Sequence, residues 1–290
     1  MPQIDRVVFG DNQFFGINHM SLDKAQAQAE RFSDLDAIFK VYDAAYDAGI
    51  RGVMLNSNAR AGEICDRFRA QASRYPGLVW YPSIPYPHKY ASLVAEAGMV
   101  GALQQVLMSE GSVSALGKIA QGGLAVMSMD VVRMMKMLVD QEMAAFKGLD
   151  VRVVFLQNIV VDLLLGFNIA EPFVEYSKHI RKKYGAYPGF ITQNMPLLRQ
   201  RLIEWDIHDV VICTSINKIG YLMSPGIEAY EAALAENDGS DYAMMAMATL
   251  ASGAVPAPEA YEYINNLNLQ SVVFGASSRG NIEQTVSLIR

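Results

Sequence analysis

Only two cysteines, Cys65 and Cys213, occur in the 290 residues, far apart and without metal-ligand spacing. That excludes a disulfide-stapled scaffold and fits a reducing compartment, the cytoplasm. Histidine is scarce too, with four in the chain, and no grouping of His, Cys, Asp or Glu has the spacing of a metal site, so no metal is expected. No apolar run reaches the about 18 residues that a membrane span requires. The stretch Met1-Pro2-Gln3-Ile4-Asp5-Arg6 carries no basic region followed by an apolar one, so neither a membrane partner nor a signal peptide is expected. A basic surplus is also missing: 24 Lys and Arg stand against 30 Asp and Glu, for a net charge of −6. This argues against a nucleic-acid partner. The one dense basic run, Arg181-Lys182-Lys183, reads as a solvated helix end favoured by the helix dipole. Glycine-rich phosphate loops of the Rossmann or P-loop type are absent.

What is present is apolar material, 51% of residues, with only 19% charged, enough to bury a large core. Short β-rich runs alternate with segments of helical period and show no linker-like break, which predicts one domain over residues 1–290 with parallel strands joined by helices. Strands are expected at Val7 to Gln13, Gly52 to Ser57, Leu78 to Ile84, Val151 to Asn158, Gly189 to Asn194, Val210 to Ser215, Ala243 to Thr249 and Ser271 to Gly275. Several are continuous apolar runs, as in a sheet covered on both faces. Eight such strands predict an α/β fold closed into a (β/α)8 TIM barrel. Ser33 with Asp36 resembles a capping box ahead of an apolar stripe at Leu35, Ile38, Phe39, Tyr42 and Tyr46, and Gly49 supplies the stop. Pro172 opens a second helix that runs to about Tyr184, and Gly185 closes it. Residues 86–150, between the third and fourth strands, exceed one connecting helix and hold eight of the 16 methionines; they read as a helical insertion with Met as core filler, or as an adaptable lid or an interface between copies of the chain.

In such a barrel the chemistry lies at the carboxyl ends of the strands. Those ends supply Asp11, Asn12 and Gln13; Asn56, Asn58 and Arg60; Ser83 and Tyr86; Gln157 and Asn158; Gln193 and Asn194; Asn217 and Lys218. The set is rich in carboxamides, suited to orienting hydroxyl, carbonyl or carboxylate groups of a small polar or phosphorylated metabolite. Asp11 with His19 forms a candidate acid/base pair, against the alternative of a histidine satisfied by a loop carbonyl. Lys218 is a candidate Schiff-base or anion-binding lysine, against that of a solvated loop lysine.

Several segments resemble aldo-keto reductases. Ala44–Arg51 (AAYDAGIR) resembles that family's entry into its second strand, and Asp209-Val210-Val211 followed by Asn217 is similar to its sixth. Ala248–Val255 (ATLASGAV) resembles its seventh strand and following loop, and Val272–Gln284 (VVFGASSRGNIEQ) its eighth strand, phosphate loop and last helix. The resemblance implies a barrel that binds NAD(P), with Gly275, Ser277, Ser278 and Arg279 at the cofactor phosphates. Serine and glycine at a strand-to-helix junction also read as ordinary cap residues.

The family's hydride-transfer site uses Asp and Tyr after the second strand, Lys at the end of the third and usually His at the end of the fourth. Here those places read Met54-Leu55-Asn56-Ser57-Asn58-Ala59-Arg60, Tyr81-Pro82-Ser83-Ile84 and Gln157-Asn158. An amide cannot give up a proton near neutral pH, so the usual proton donor is gone. The leading expectation is a non-redox enzyme of lyase or isomerase type acting on a small molecule. The alternatives are an NAD(P)-dependent oxidoreductase with a rearranged donor, Tyr86 or His19, and a non-catalytic nucleotide- or metabolite-binding regulator.

Overall fold

The computed structural model describes residues 2–15, 30–85, 124–237 and 239–290. Eight strands form a closed, all-parallel barrel in sequence order: β1 (Val7–Phe9), β2 (Gly52–Asn56), β3 (Val79–Ile84), β4 (Val153–Leu156), β5 (Tyr187–Thr192), β6 (Val210–Ser215), β7 (Tyr242–Met247) and β8 (Ser271–Phe274). The parallel pairing of β1 with β8, Val8 opposite Val273, closes the ring. The helices are α1 (Leu35–Asp47), α2 (Ala61–Ala70), α3 (Leu124–Met143), α4 (Asn158–Gly166), α5 (Glu171–Tyr184), α6 (Met195–Glu204), α7 (Ile227–Ala235), α8 (Ala257–Asn265) and α9 (Arg279–Leu288).

Successive strand residues point to opposite faces, and both faces here are apolar. Val153 and Phe155 of β4, Val211 and Cys213 of β6, and Met54, Tyr81 and Val273 fill the barrel. Val154, Leu156, Val210 and Ile212 face the helices. Gly189 makes room inside, because a Cβ there would lie 2.4 Å from the Phe155 ring. At the amino end Tyr81 reaches down to the Asp5 carboxylate, which Arg152 also approaches at 3.2 Å, so these side chains lie across that end of the barrel.

The expected first strand is shorter than its apolar run: β1 ends at Phe9, and Asn12–Phe14 form a 3₁₀ turn. The fourth likewise ends at Leu156, because Asn158 already begins α4. The cap of α1 is Asp34 rather than Ser33: its carboxylate accepts the Asp36 N–H at 3.0 Å, while the Ser33 hydroxyl donates to the Glu30 carbonyl. Glu171–Tyr184 is helical and ends at Gly185 in the left-handed conformation, φ 63°. Within the expected insertion, α3 spans 20 residues and packs against α5 and β3, burying Met135 and Met143 while Met137 stays exposed. Residues 86–123 lie outside the described residues. No described helix is long and apolar enough to cross a membrane.

Candidate active site

The register places the carboxyl ends of β1, β2, β3 and β4 side by side, Asn56 opposite Ser83 and Ser83 opposite Phe155. Asn56 and Ser83 are two residues beyond the interior Met54 and Tyr81, so the period of the strand turns them inward as the roof of the packed core. Asp11 lies among them, 2% exposed. Its Oδ2 accepts the Asn56 backbone N–H at 3.0 Å and its Oδ1 accepts Asn56 Nδ2 at 2.6 Å; Asn58 Nδ2 reaches Oδ2 at 3.4 Å. From β4, Gln157 Nε2 donates to Asn56 Oδ1 at 2.6 Å and to Ser83 Oγ at 2.5 Å. Asn12 Oδ1 accepts from Asn56 Nδ2 at 3.3 Å.

Loss of hydration pushes the Asp11 carboxyl up to about 6, although the bonds from Asn56 and Asn58 favour its ionised form. Behind it the Tyr42 phenol of α1 is buried among Phe9, Phe14, Phe39 and Phe68, and burial together with the Asp11 charge holds it neutral far above the usual tyrosine range.

Of the expected site residues, Asp11, Asn12, Asn56, Asn58 and Gln157 thus share one hydrogen-bonded network. Gln13 borders it with Nε2 on the Gly10 carbonyl at 2.7 Å and its buried Oε1 without a hydrogen bond among the described residues. Arg60 donates to the Phe32 carbonyl at 2.7 Å and stands 3.5 Å from Glu63, at the rim of a cleft of about 510 Å³ that Phe14, Phe15 and Phe32 also line. Asn158 is half-buried in the first turn of α4.

Across the mouth, the Gln193 backbone N–H donates to Asp162, and the Gln193 carbonyl accepts from the Tyr230 hydroxyl. Asn194 caps α6 by accepting the Leu197 N–H. Asn217, fully buried, ties its own loop together through the Tyr221 N–H and carbonyl, both at 2.8 Å. Lys218 points outward, half-exposed, and forms an ion pair with Glu259 of α8 at 2.5 Å. His19 and Tyr86 lie outside the described residues.

Asp162, on α4, is not among the residues expected at the strand ends. Its carboxyl, raised by burial, accepts Thr192 Oγ1 at 2.5 Å and the Gln193 N–H at 3.0 Å, closing the end of β5. A single charge inside the apolar run Ile159-Val160-Val161-Asp162-Leu163-Leu164-Leu165 was the available signal. A second inward serine, Ser215, is buried at the end of β6 with its hydroxyl unpaired among the described residues.

The expected cofactor residues are engaged within the protein. A Cβ on Gly275 would lie 2.1 Å from Gln13 Oε1, so Gln13 occupies the space this glycine leaves open. The Ser277 carbonyl accepts from Arg31 at 2.8 Å, and Ser278 caps α9 through the Asn281 N–H. Arg279 pairs with Asp47 of α1 at 2.7 Å and lies 3.5 Å from Glu283. In this arrangement the loop's guanidinium is turned to a carboxylate on another helix, in an exposed ion pair that a cofactor phosphate would have to displace. Among the described residues no group of three His, Cys, Asp or Glu side chains is placed to hold a metal ion.

No protein-family model and no curated protein matches the sequence. Solved structures do. A Pseudomonas aeruginosa protein assigned to the aldo-keto reductases superposes with a TM-score of 0.61 at 10% identity, covering 99% of this chain and 90% of that one. An aldo-keto reductase complexed with NADPH gives 0.55 at 12% identity over 98% and 79% of the two chains. The holo form of a Bacillus halodurans aldo-keto reductase gives 0.54 at 10% over 98% and 86%. Identities this low carry the architecture and nothing finer, and the chain therefore has the (β/α)8 barrel fold of the aldo-keto reductases.

Proposed function

We propose that this chain is an enzyme acting on a small polar molecule at the carboxyl-end mouth of the barrel, with Asp11 transferring the proton. The observation that carries the reading is a carboxyl 2% exposed, held by three N–H groups of Asn56 and Asn58, and pushed up to about 6. A carboxyl near neutrality can both accept and return a proton at cellular pH, as general acid–base chemistry demands. The carboxamides and Ser83 around it are suited to orienting hydroxyl and carbonyl groups. Proton transfer of this kind supports a lyase or isomerase type of reaction.

Screening small polyols, hydroxy acids and carbonyl compounds for turnover tests the reading. Activity with an acidic limb near pH 6 that Asp11→Asn lowers by about a hundredfold or more is expected. Turnover that survives Asp11→Asn would overturn it.

A second reading, an NAD(P)-dependent oxidoreductase, is supported by the likeness to an NADPH-complexed aldo-keto reductase. It requires Arg279 to leave Asp47.

A further inference from the structure

We propose that Gln157 is a positioning residue for Asp11: by donating to Asn56 Oδ1 it fixes which end of the Asn56 amide faces the carboxylate. The inference rests on the reading of Asp11 as the proton-handling group, and its geometry stands separately.

The two ends of an asparagine amide are nearly equal in size and opposite in polarity, so packing alone does not choose between them. Asn56 stands between two partners. On one side Asp11 Oδ1, 2.6 Å from Nδ2, demands a donor whenever the carboxyl is ionised, and Asn12 Oδ1 at 3.3 Å is a second, longer acceptor for the same Nδ2. On the other side Gln157 Nε2, 2.6 Å from Oδ1, demands an acceptor. Gln157 is itself 8% exposed, and the same Nε2 donates to Ser83 Oγ at 2.5 Å. The chain Gln157 to Asn56 to Asp11 thus runs in one direction across β4, β3, β2 and β1, each amide presenting N–H toward the acid.

The backbone N–H of Asn56, 3.0 Å from Asp11 Oδ2, is fixed by the strand and cannot reverse. The side-chain donor can. With the amide turned round, a carbonyl oxygen would face a carboxylate oxygen, an arrangement only the protonated acid satisfies. The other titratable group facing Asp11 among the described residues is Tyr42 of α1, with Cys65 of α2 next to it; burial keeps both neutral through the pH range concerned, the Cys65 thiol being pushed up to about 12. Gln157, two strands away from Asn56 in the barrel order, is therefore the group that meets the oxygen end of the Asn56 amide and so biases Asp11 toward its ionised form.

The test is a carboxyl NMR titration of Asp11 in the full chain, with and without Gln157→Met, which keeps length and volume and removes the donor. The expected result is a midpoint raised by about one pH unit or more, the effect of losing one hydrogen bond to a charged group. An unchanged midpoint in the folded variant overturns the inference. Should the variant not fold, the unsubstituted protein decides. The Asn56 side-chain amide protons are expected to shift with the Asp11 titration and to exchange slowly, and protons indifferent to it overturn the inference. Because the readout is ionisation, a midpoint that moves in a protein without any turnover sinks the enzyme reading and upholds the role of Gln157.

Discussion

Asp11 receives both the backbone and the side-chain N–H of Asn56, at 3.0 and 2.6 Å, so one residue of β2 holds both oxygens of an acid that follows β1. The acid still sits near 6, because burial outweighs the bonds. A carboxyl raised in the folded state binds more protons folded than unfolded between its two midpoints. Its favourable contribution is full below about 3.8 and disappears as pH rises through about 6. The stability of the native chain relative to Asp11→Asn is therefore expected to fall by on the order of 3 kcal/mol between pH 4 and pH 7. Urea unfolding of both proteins across that window measures it, and a difference that stays flat would show that the acid is not buried in this way.

Lys218→Ala is expected to leave turnover within about twofold and stability within about 1 kcal/mol, since its partner Glu259 offers only an exposed ion pair. No adduct should be trapped by borohydride with carbonyl compounds. A trapped adduct on Lys218 would return this lysine to the chemistry.

Gly189→Ala should destabilise the barrel by at least about 1–3 kcal/mol, the cost of overpacking, because its Cβ would meet the Phe155 ring at 2.4 Å and Val153 at 2.7 Å. Denaturant midpoints settle this. An effect below about 0.5 kcal/mol would mean that the interior yields far more readily than a close-packed core does.

Asn217→Ala should act on stability. Both ends of this fully buried amide bind the Tyr221 backbone, and removal leaves those groups without partners at a cost of about 1–3 kcal/mol. A variant with unaltered melting and a raised KM would place Asn217 at the substrate instead.

If a dinucleotide binds, Asp47→Ala should tighten NADPH, measured by fluorescence titration, because it frees Arg279 from its partner. Equal affinity in both proteins would remove Arg279 from any cofactor site.

The barrel was legible because alternation and length of the apolar runs are properties of local sequence: β6 runs from Val210 to Ser215 in both readings. The first strand was overestimated because Asp11, Asn12 and Gln13 continue a β-like composition, while a 3₁₀ turn there gives Asp11 its bonds to Asn56. The network of Asp11, Asn56 and Gln157 was legible as a set, since strand ends in a barrel converge. The partners of Asn217, Lys218 and Arg279 were not, because Tyr221 is set by the local turn of its loop, and Glu259 and Asp47 by side-chain direction and by helices 41 and 232 residues away. Sequence position alone places a lysine after a strand and leaves open which way it turns.

Tyr81, Asp5 and Arg152 lie across one end of the cylinder. Above them the interior is filled by Val8, Met54, Phe155 and Cys213, so among the described residues no passage runs down the axis from Asp11 to that end. If Asp11 handles a substrate's proton, that molecule would arrive and depart on the same side of the barrel, and inhibition by product competitive with substrate is the expected pattern.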